Sequence, residues 1–339
     1  MATFLDGYNF LKKLDAKRIW NTASLVSSYQ LSKVSGKLQH LGMPISISIE
    51  PTTSCNLRCP ECPSGLRSFT RPTGVLQQEL FKRVIDELHP TLSYLIFYFQ
   101  GEPYLHPQFL DLVRYSVDKN IYTATSTNAH YLNDKNAEAT VRSGLDRLII
   151  SIDGTSQETY QSYRVGGSLD KVMEGAKNVI TWKKKLRSQT PHVIFQFLVV
   201  KPNEHEIPEV YRLAHALGVD EVKLKTAQIY DYKNGSPLIP TQQKYSRYKQ
   251  MGDGTYAIKN TFDNHCWKMW HSCVVTWDGK IVPCCFDKDA HHVMGDLNDR
   301  SFREVWQSDL YQQFRLSLLR SRSENEMCKN CTEGTKVWA

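Results

Sequence analysis

The stretch Ile45–Cys62, ISISIEPTTSCNLRCPEC, joins two patterns. From Ile45 to Glu50 apolar and polar residues alternate, which predicts a β-strand. Directly after it, Cys55, Cys59 and Cys62 place three of the chain's nine cysteines within eight positions. Thiolates are ligands for soft metals. Structural zinc closes a tetrahedron of four ligands, yet only three thiols stand here and no histidine follows before His89. A cubane iron–sulfur cluster held by three cysteines keeps one iron open for a substrate or cofactor. The odd count therefore points to chemistry. On spacing alone two alternatives stay open: a zinc site completed by a distant cysteine, and an accidental grouping.

Working outward, five more strand-like runs follow: YLIFYFQ (94–100), YTATST (122–127), RLIISID (147–153), HVIFQFLVV (192–200) and EVKLKTA (221–227). Between them lie helical patterns at 77–88, 109–119, 134–143, 169–185 and 207–217. Strict alternation of strands and helices predicts a parallel sheet covered by helices. Six units are too few for the closed eight-unit barrel. The expected fold is α/β, a partial (β/α)6 TIM-like barrel, with a small C-terminal cysteine-rich α+β domain. Chemistry in such folds gathers at the C-terminal strand ends. Here these carry the three cysteines, Gln100-Gly101-Glu102-Pro103, Thr127-Asn128 and Ser151–Gly154. Lys201, Asn203, Thr226 and Gln228 complete the rim.

Four segments are expected: a helical lead-in (1–43), the barrel (44–230), a linker with one helix (231–263) and the cysteine-rich region (264–339). The lead-in has apolar residues at helical spacing, among them Phe10, Leu14, Ile19 and Trp20. A membrane-surface helix is disfavoured there, because the apolar face reads as short. In the last region VVTWDGKIVPCC reads as a β-hairpin about an Asp278-Gly279 turn, and SFREVWQSDLYQQFRLSLL as one or two helices.

Net charge is +7, from 42 basic and 35 acidic residues without a block of like charges. No nucleic-acid partner is expected. No apolar run reaches the ~20 residues of a membrane span, and MATFLDGYNFLKKLDAKRIW lacks the core and cleavage site of a signal peptide. A cytoplasmic protein with no membrane partner is expected. Nine cysteines in that compartment suggest metal rather than disulfides.

CNLRCPEC resembles the C-x3-C-x2-C signature of the radical S-adenosylmethionine (radical SAM) enzymes, which also follows the first barrel strand. QGEP (100–103) is similar to that family's GGEP motif, TSTNAH (125–130) to its TNG segment, and IISIDG (149–154) to its fourth-strand segment. The resemblance spans roughly 44–230. It implies a [4Fe–4S] cluster on Cys55, Cys59 and Cys62, with S-adenosylmethionine (SAM) chelating the fourth iron. It further implies SAM contacts from Gly101, Glu102, Asn128, Ser151 and Arg164. Reductive cleavage of SAM to a 5′-deoxyadenosyl radical, which takes hydrogen from a substrate C–H bond, is the implied reaction. Two residues depart from the pattern: Glu61, where a bulky apolar residue usually packs the adenine, and Gln100, where the motif has glycine.

The remaining cysteines are Cys266, Cys273, Cys284, Cys285, Cys328 and Cys331. Spacing alone leaves a zinc ribbon and an iron–sulfur cluster open. The region resembles the SPASM and twitch extensions of radical SAM enzymes. That likeness implies one auxiliary [4Fe–4S] cluster on Cys266, Cys284, Cys328 and Cys331. The absence of a further cysteine after Cys331 favours the twitch type. Cys273 and Cys285 are left over, as a buried thiol or as ligands in a shifted alignment. An auxiliary cluster could accept the electron left on a substrate radical. Asp278, Asp287 and Asp296 stand nearby, but each has a simpler reading as a turn, exposed or capping residue, and no catalytic base is assigned. Paired His291-His292 read as solvated, and Trp267, Trp270 and Trp277 as core. Lys223 and Lys225 share one strand face and could meet an acidic substrate or form salt bridges.

The expected function is a radical SAM oxidoreductase or maturase that modifies a peptide or protein, with a small-molecule or sugar dehydrogenase or epimerase as the alternative. A flavodoxin or ferredoxin would supply electrons. The rival from another class is a non-catalytic zinc or iron–sulfur protein.

Overall fold

A computed structural model describes residues 2–259 and 263–331, with side chains from Phe4 onward. The ends of the expected linker and C-terminal region, 260–262 and 332–339, lie outside the described residues. Six strands form a parallel sheet in chain order: β1 (Ser46–Ile49), β2 (Tyr94–Ile96), β3 (Tyr122–Thr127), β4 (Arg147–Ser151), β5 (His192–Val199) and β6 (Glu221–Thr226). The helices Gln78–Leu88, Phe109–Asp118, Asp134–Arg142, Leu169–Lys185 and Ile207–Leu217 alternate with them, as the patterning predicts. In Gln78–Leu88 the residues Leu80, Phe81, Val84, Ile85 and Leu88 form one buried stripe. Along β1, Ile47 and Ile49 join the core beneath the helices. Ser46 and Ser48, on the other face, line a cavity inside the barrel.

The linker differs from expectation. It holds one 3₁₀ turn, Gln243–Tyr245, and an antiparallel hairpin of β7 (Tyr248–Gln250) and β8 (Tyr256–Ile258). Asp253-Gly254 lies in its turn, with Gly254 at φ 83°. That pair is a hairpin signal the sequence reading passed over.

The C-terminal region supplies β9 (Ser272–Val275), β10 (Lys280–Val282) and β11 (Gly295–Asp296). They do not form a separate sheet. β9 lies parallel to β1, in the register Ile47↔Cys273. β10 and β11 follow antiparallel, giving one nine-stranded sheet. An otherwise open β1 edge is thereby paired. Glu50, fully buried after β1, fastens the join: its carboxylate accepts two bonds from Arg71, at 2.6 and 2.8 Å, and one from the Trp277 backbone at 3.3 Å.

The lead-in forms two helices, Ala2–Leu11 and Ala16–Ser35. Arg18, 2% exposed, donates to the carbonyls of His89 (2.9 Å), Lys119 (3.1 Å) and Asn120, which lie in the loops entering β2 and β3. The helices thus close the N-terminal end of the barrel, opposite the rim that carries the cysteines.

Candidate active site

The loop after β1 folds back on the loop after β2. Gly101 has φ 75°, and a Cβ there would stand 2.2 Å from the Thr52 carbonyl oxygen. Only glycine permits that approach. The Glu102 N–H donates to the Ser54 carbonyl at 2.8 Å, and the Gly101 N–H to Ser64 Oγ at 2.9 Å. Ser64 sits in the short helix Pro63–Leu66 that Cys62 precedes. These bonds seat the cysteine loop on the second strand's motif.

Cys55, Cys59 and Cys62 line one cavity of about 170 Å³ together with Gly101, Glu102, Asn128, Ser151 and Arg164. Burial pushes the Cys55 thiol up to about 11 and raises Cys59 as well. Metal binding here therefore releases protons that the cluster-free thiols hold.

Glu102 is buried, and its ties run to β3. Oε1 accepts from Thr127 Oγ1 at 2.7 Å and Oε2 from the Asn128 N–H at 2.8 Å. Burial raises it to about 6. A carboxylate has about four acceptor positions, so capacity remains for a ligand amine. Asn128 Nδ2 donates to Asn56 Oδ1 at 2.8 Å. Ala129, where the resembled motif has glycine, takes φ 65°. Arg164 is held by the fully buried Asp153 and reaches Cys59 Sγ at 3.6 Å. The Arg58 N–H donates to the Val165 carbonyl at 2.9 Å, tying the cysteine loop to Arg164's segment.

Both departures from the motif acquire partners. Glu61 Oε2 accepts from the Tyr230 backbone N–H at 2.9 Å, fastening the segment after β6 to the cysteine loop. Gln100 Oε1 lies 3.8 Å from Cys62 Sγ. Sequence reasoning missed Ser64 and Lys288, and held Asp153 only as one of the rim residues Ser151–Gly154. Lys288 lines the cavity from the C-terminal region, with its ammonium 4.7 Å from the Tyr230 ring centre. Lysine that follows a Cys-Cys pair carries no pattern that would have marked it.

A second cavity is lined by Cys266, Cys284, Cys328 and Cys331, by Met269, Phe314 and Leu318, and by the cationic Lys268 and Arg322. Arg322 reaches Cys331 Sγ at 3.5 Å. Cys273 is apart from them, 2% exposed in the main core beside Tyr311 and Arg315. Cys285 Sγ accepts from Lys268 Nζ at 3.1 Å. Among the described residues no three Cys, His, Asp or Glu side chains enclose a single ion. Thiols spread around a cavity suit a cluster, which offers each thiolate a different iron.

The family profile "Radical SAM superfamily" matches residues 49–214, and "Iron-sulfur cluster-binding domain" (SPASM) matches 266–332. The chain belongs to the radical SAM superfamily. It is an enzyme of that family with a C-terminal SPASM-type domain, and its cofactors are SAM, a [4Fe–4S] cluster and auxiliary iron–sulfur. One relative is the tungsten-containing aldehyde ferredoxin oxidoreductase cofactor-modifying protein of Pyrococcus furiosus, 25% identical over 84% of this chain and 85% of that one. Another is the PqqA peptide cyclase of Gluconobacter oxydans, 23% identical over 87% and 84%. Among solved structures, SuiB of Streptococcus suis bound to S-adenosylmethionine has a TM-score of 0.64 at 14% identity, over 91% of this chain and 76% of that one. The likeness is one of fold. Among the described residues no helix is long and apolar enough to cross a membrane.

Proposed function

We propose that this radical SAM enzyme modifies a side chain of a peptide or protein. Similarity to a peptide cyclase over more than four-fifths of both chains carries this reading. Cys55, Cys59 and Cys62 would hold the SAM-binding cluster, and Glu102, Asn128, Ser151 and Arg164 the SAM. When bound, these cofactors supply a 5′-deoxyadenosyl radical that removes hydrogen from carbon. The chain's own part is to position and to exclude water. Arg164, fixed by Asp153, offers a carboxylate partner. Glu102, fixed by Thr127 and Asn128, offers an acceptor for an amine.

The substrate would enter the barrel interior. Ile96 and Tyr98 lie two residues apart on β2 and its extension. Tyr98 lines the cavity of the three thiols, and Ile96 a second interior cavity of about 310 Å³ that also touches Cys266. A substrate spanning both would lie between the two sets of cysteines. There an auxiliary cluster on Cys266, Cys284, Cys328 and Cys331 could take up its electron. A flavodoxin or ferredoxin would donate to the enzyme. Among the described residues no two cysteines are joined in a disulfide, which suits the reducing cytoplasm.

A small-molecule substrate is the second reading, favoured by the relative named for cofactor modification. One experiment separates the two. The anaerobically reconstituted, reduced enzyme is given SAM and fractions of its host's extract. The peptide reading expects 5′-deoxyadenosine formation to be stimulated by a fraction that protease treatment inactivates. Stimulation confined to protease-resistant small molecules would overturn it.

A further inference from the structure

The two N-terminal helices turn their polar sides inward. In Ala16–Ser35 the buried side carries Arg18, Asn21, Ser28, Tyr29 and Ser32, with Leu25 as its one aliphatic residue. The opposite side carries Ile19, Trp20, Val26, Leu31 and Val34, with Trp20 75% and Val34 87% exposed. At 3.6 residues per turn these five fall within an arc of about 140°. Ala2–Leu11 repeats the inversion in part, since Phe10 turns inward with its ring 5.5 Å from that of Tyr122. Asp6 is buried against Arg147 and Tyr122, while Phe4, Tyr8 and Leu11 are exposed. Ten of the sixteen exposed large hydrophobic side chains among the described residues lie between Phe4 and Leu41. Single exposed apolar residues are ordinary, whereas a concentration of them marks a contact surface.

The charge around this face selects its occupant. Lys12, Lys17, Lys33 and Lys37 are exposed on the same segment. Asp15 is the only exposed carboxylate between residues 4 and 41, and it caps the second helix by accepting from the Arg18 N–H at 2.9 Å. A second copy docked about a two-fold axis would set one lysine fringe against another. An anionic lipid leaflet meets both features: apolar side chains enter the acyl boundary while lysines stay at the headgroups. We propose that this face docks the enzyme on an anionic membrane surface. Arg18 anchors the helix at the N-terminal end of the barrel, so the rim bearing Cys55, Cys59 and Cys62 faces away from the lipid.

The test mixes the full reconstituted chain with vesicles of phosphatidylcholine alone, or of phosphatidylcholine with about 30% phosphatidylglycerol, and sediments them. Sedimentation with the anionic vesicles is expected, at least ~10-fold weaker without the anionic lipid and weakened by salt. Lys17→Gln with Lys33→Gln should lower it about 5-fold per cation. Trp20→Glu with Leu31→Glu should lower it at least ~10-fold. All four substitutions are on exposed positions that line neither interior cavity, so vesicle-free 5′-deoxyadenosine formation should hold and report a folded enzyme. Failure to sediment with either vesicle, or equal sedimentation with both, overturns the proposal. So does a dimer that Trp20→Glu dissociates, which would give the face to a second copy.

Discussion

The carbonyl oxygen of Thr52 lies 2.2 Å from where a Cβ on Gly101 would stand. Backbone, not a flexible side chain, occupies that space, and Gly101 also holds φ 75°. Gly101→Ala must therefore push apart the loops after β1 and β2. Displacements near 1 Å at a reacting centre can cost about 10²-fold in rate. At least that loss in 5′-deoxyadenosine formation is expected, with weakened SAM binding. An activity within a few-fold of the parent would show that the two loops do not need this contact.

Asp153 is fully buried, and it holds Arg164 while its Oδ1 accepts from the Leu198 N–H at 2.7 Å. Asp153→Asn keeps the shape and removes the charge, stranding a largely buried guanidinium. Removing one partner of a buried pair costs about 3–5 kcal/mol. The urea midpoint of the cluster-free chain should fall accordingly, and the KM for SAM should rise. Asp153→Asn combined with Arg164→Gln should recover part of the stability but not the KM. A double variant no more stable than Asp153→Asn would sever the two residues energetically.

The barrel was largely legible because its signals are local. The run 122–127 and the helices 169–185 and 207–217 have the predicted bounds. β2 stops at Ile96, short of the predicted Gln100. The three cysteines and Gly101 drew notice because their motifs are contiguous in sequence. What was hidden depends on distant partners. Nothing in SCVV (272–275) says that it will lie beside β1. Glu61 looked like a fault in a motif, since its partner Tyr230 is 169 residues away. The lead-in periodicity was visible, but periodicity does not tell which side of a helix faces in.

His40 is nearly buried, with Nε2 3.0 Å from the Trp270 carbonyl and Arg315 nearby. Burial, helped by that cation, lowers it from 6.5 to about 3. The unfolded chain takes a proton here below about pH 6.5, which the folded chain refuses. Stability from this residue is therefore complete above pH 6.5 and declines as pH falls toward 3. At pH 5.5 the loss is on the order of 1 kcal/mol. His40→Gln keeps the bond to Trp270 and removes the titration. The drop in Tm between pH 7.5 and 5.5 should shrink by about 2–4 °C. An unchanged drop would place the acid sensitivity elsewhere.

The four cysteines around the second cavity can be distinguished from the two outside it by counting iron. One SAM-binding and one auxiliary [4Fe–4S] cluster give about eight irons per reconstituted chain. Alanine at Cys266, Cys284, Cys328 or Cys331 should leave about four, with the charge-transfer absorbance of the remaining cluster intact. Cys273→Ala should keep all eight, since its thiol packs in the core beside Tyr311 and Arg315, at a stability cost of about 1 kcal/mol. Cys285→Ala should also keep eight, while losing the bond from Lys268 and the thiol contact with Cys284. A count of twelve in the parent would add a second auxiliary cluster and bring Cys285 in as a ligand. Stoichiometric zinc that survives chelation and disappears in Cys328→Ala would turn the region into a structural zinc site and remove the electron acceptor from the barrel's flank.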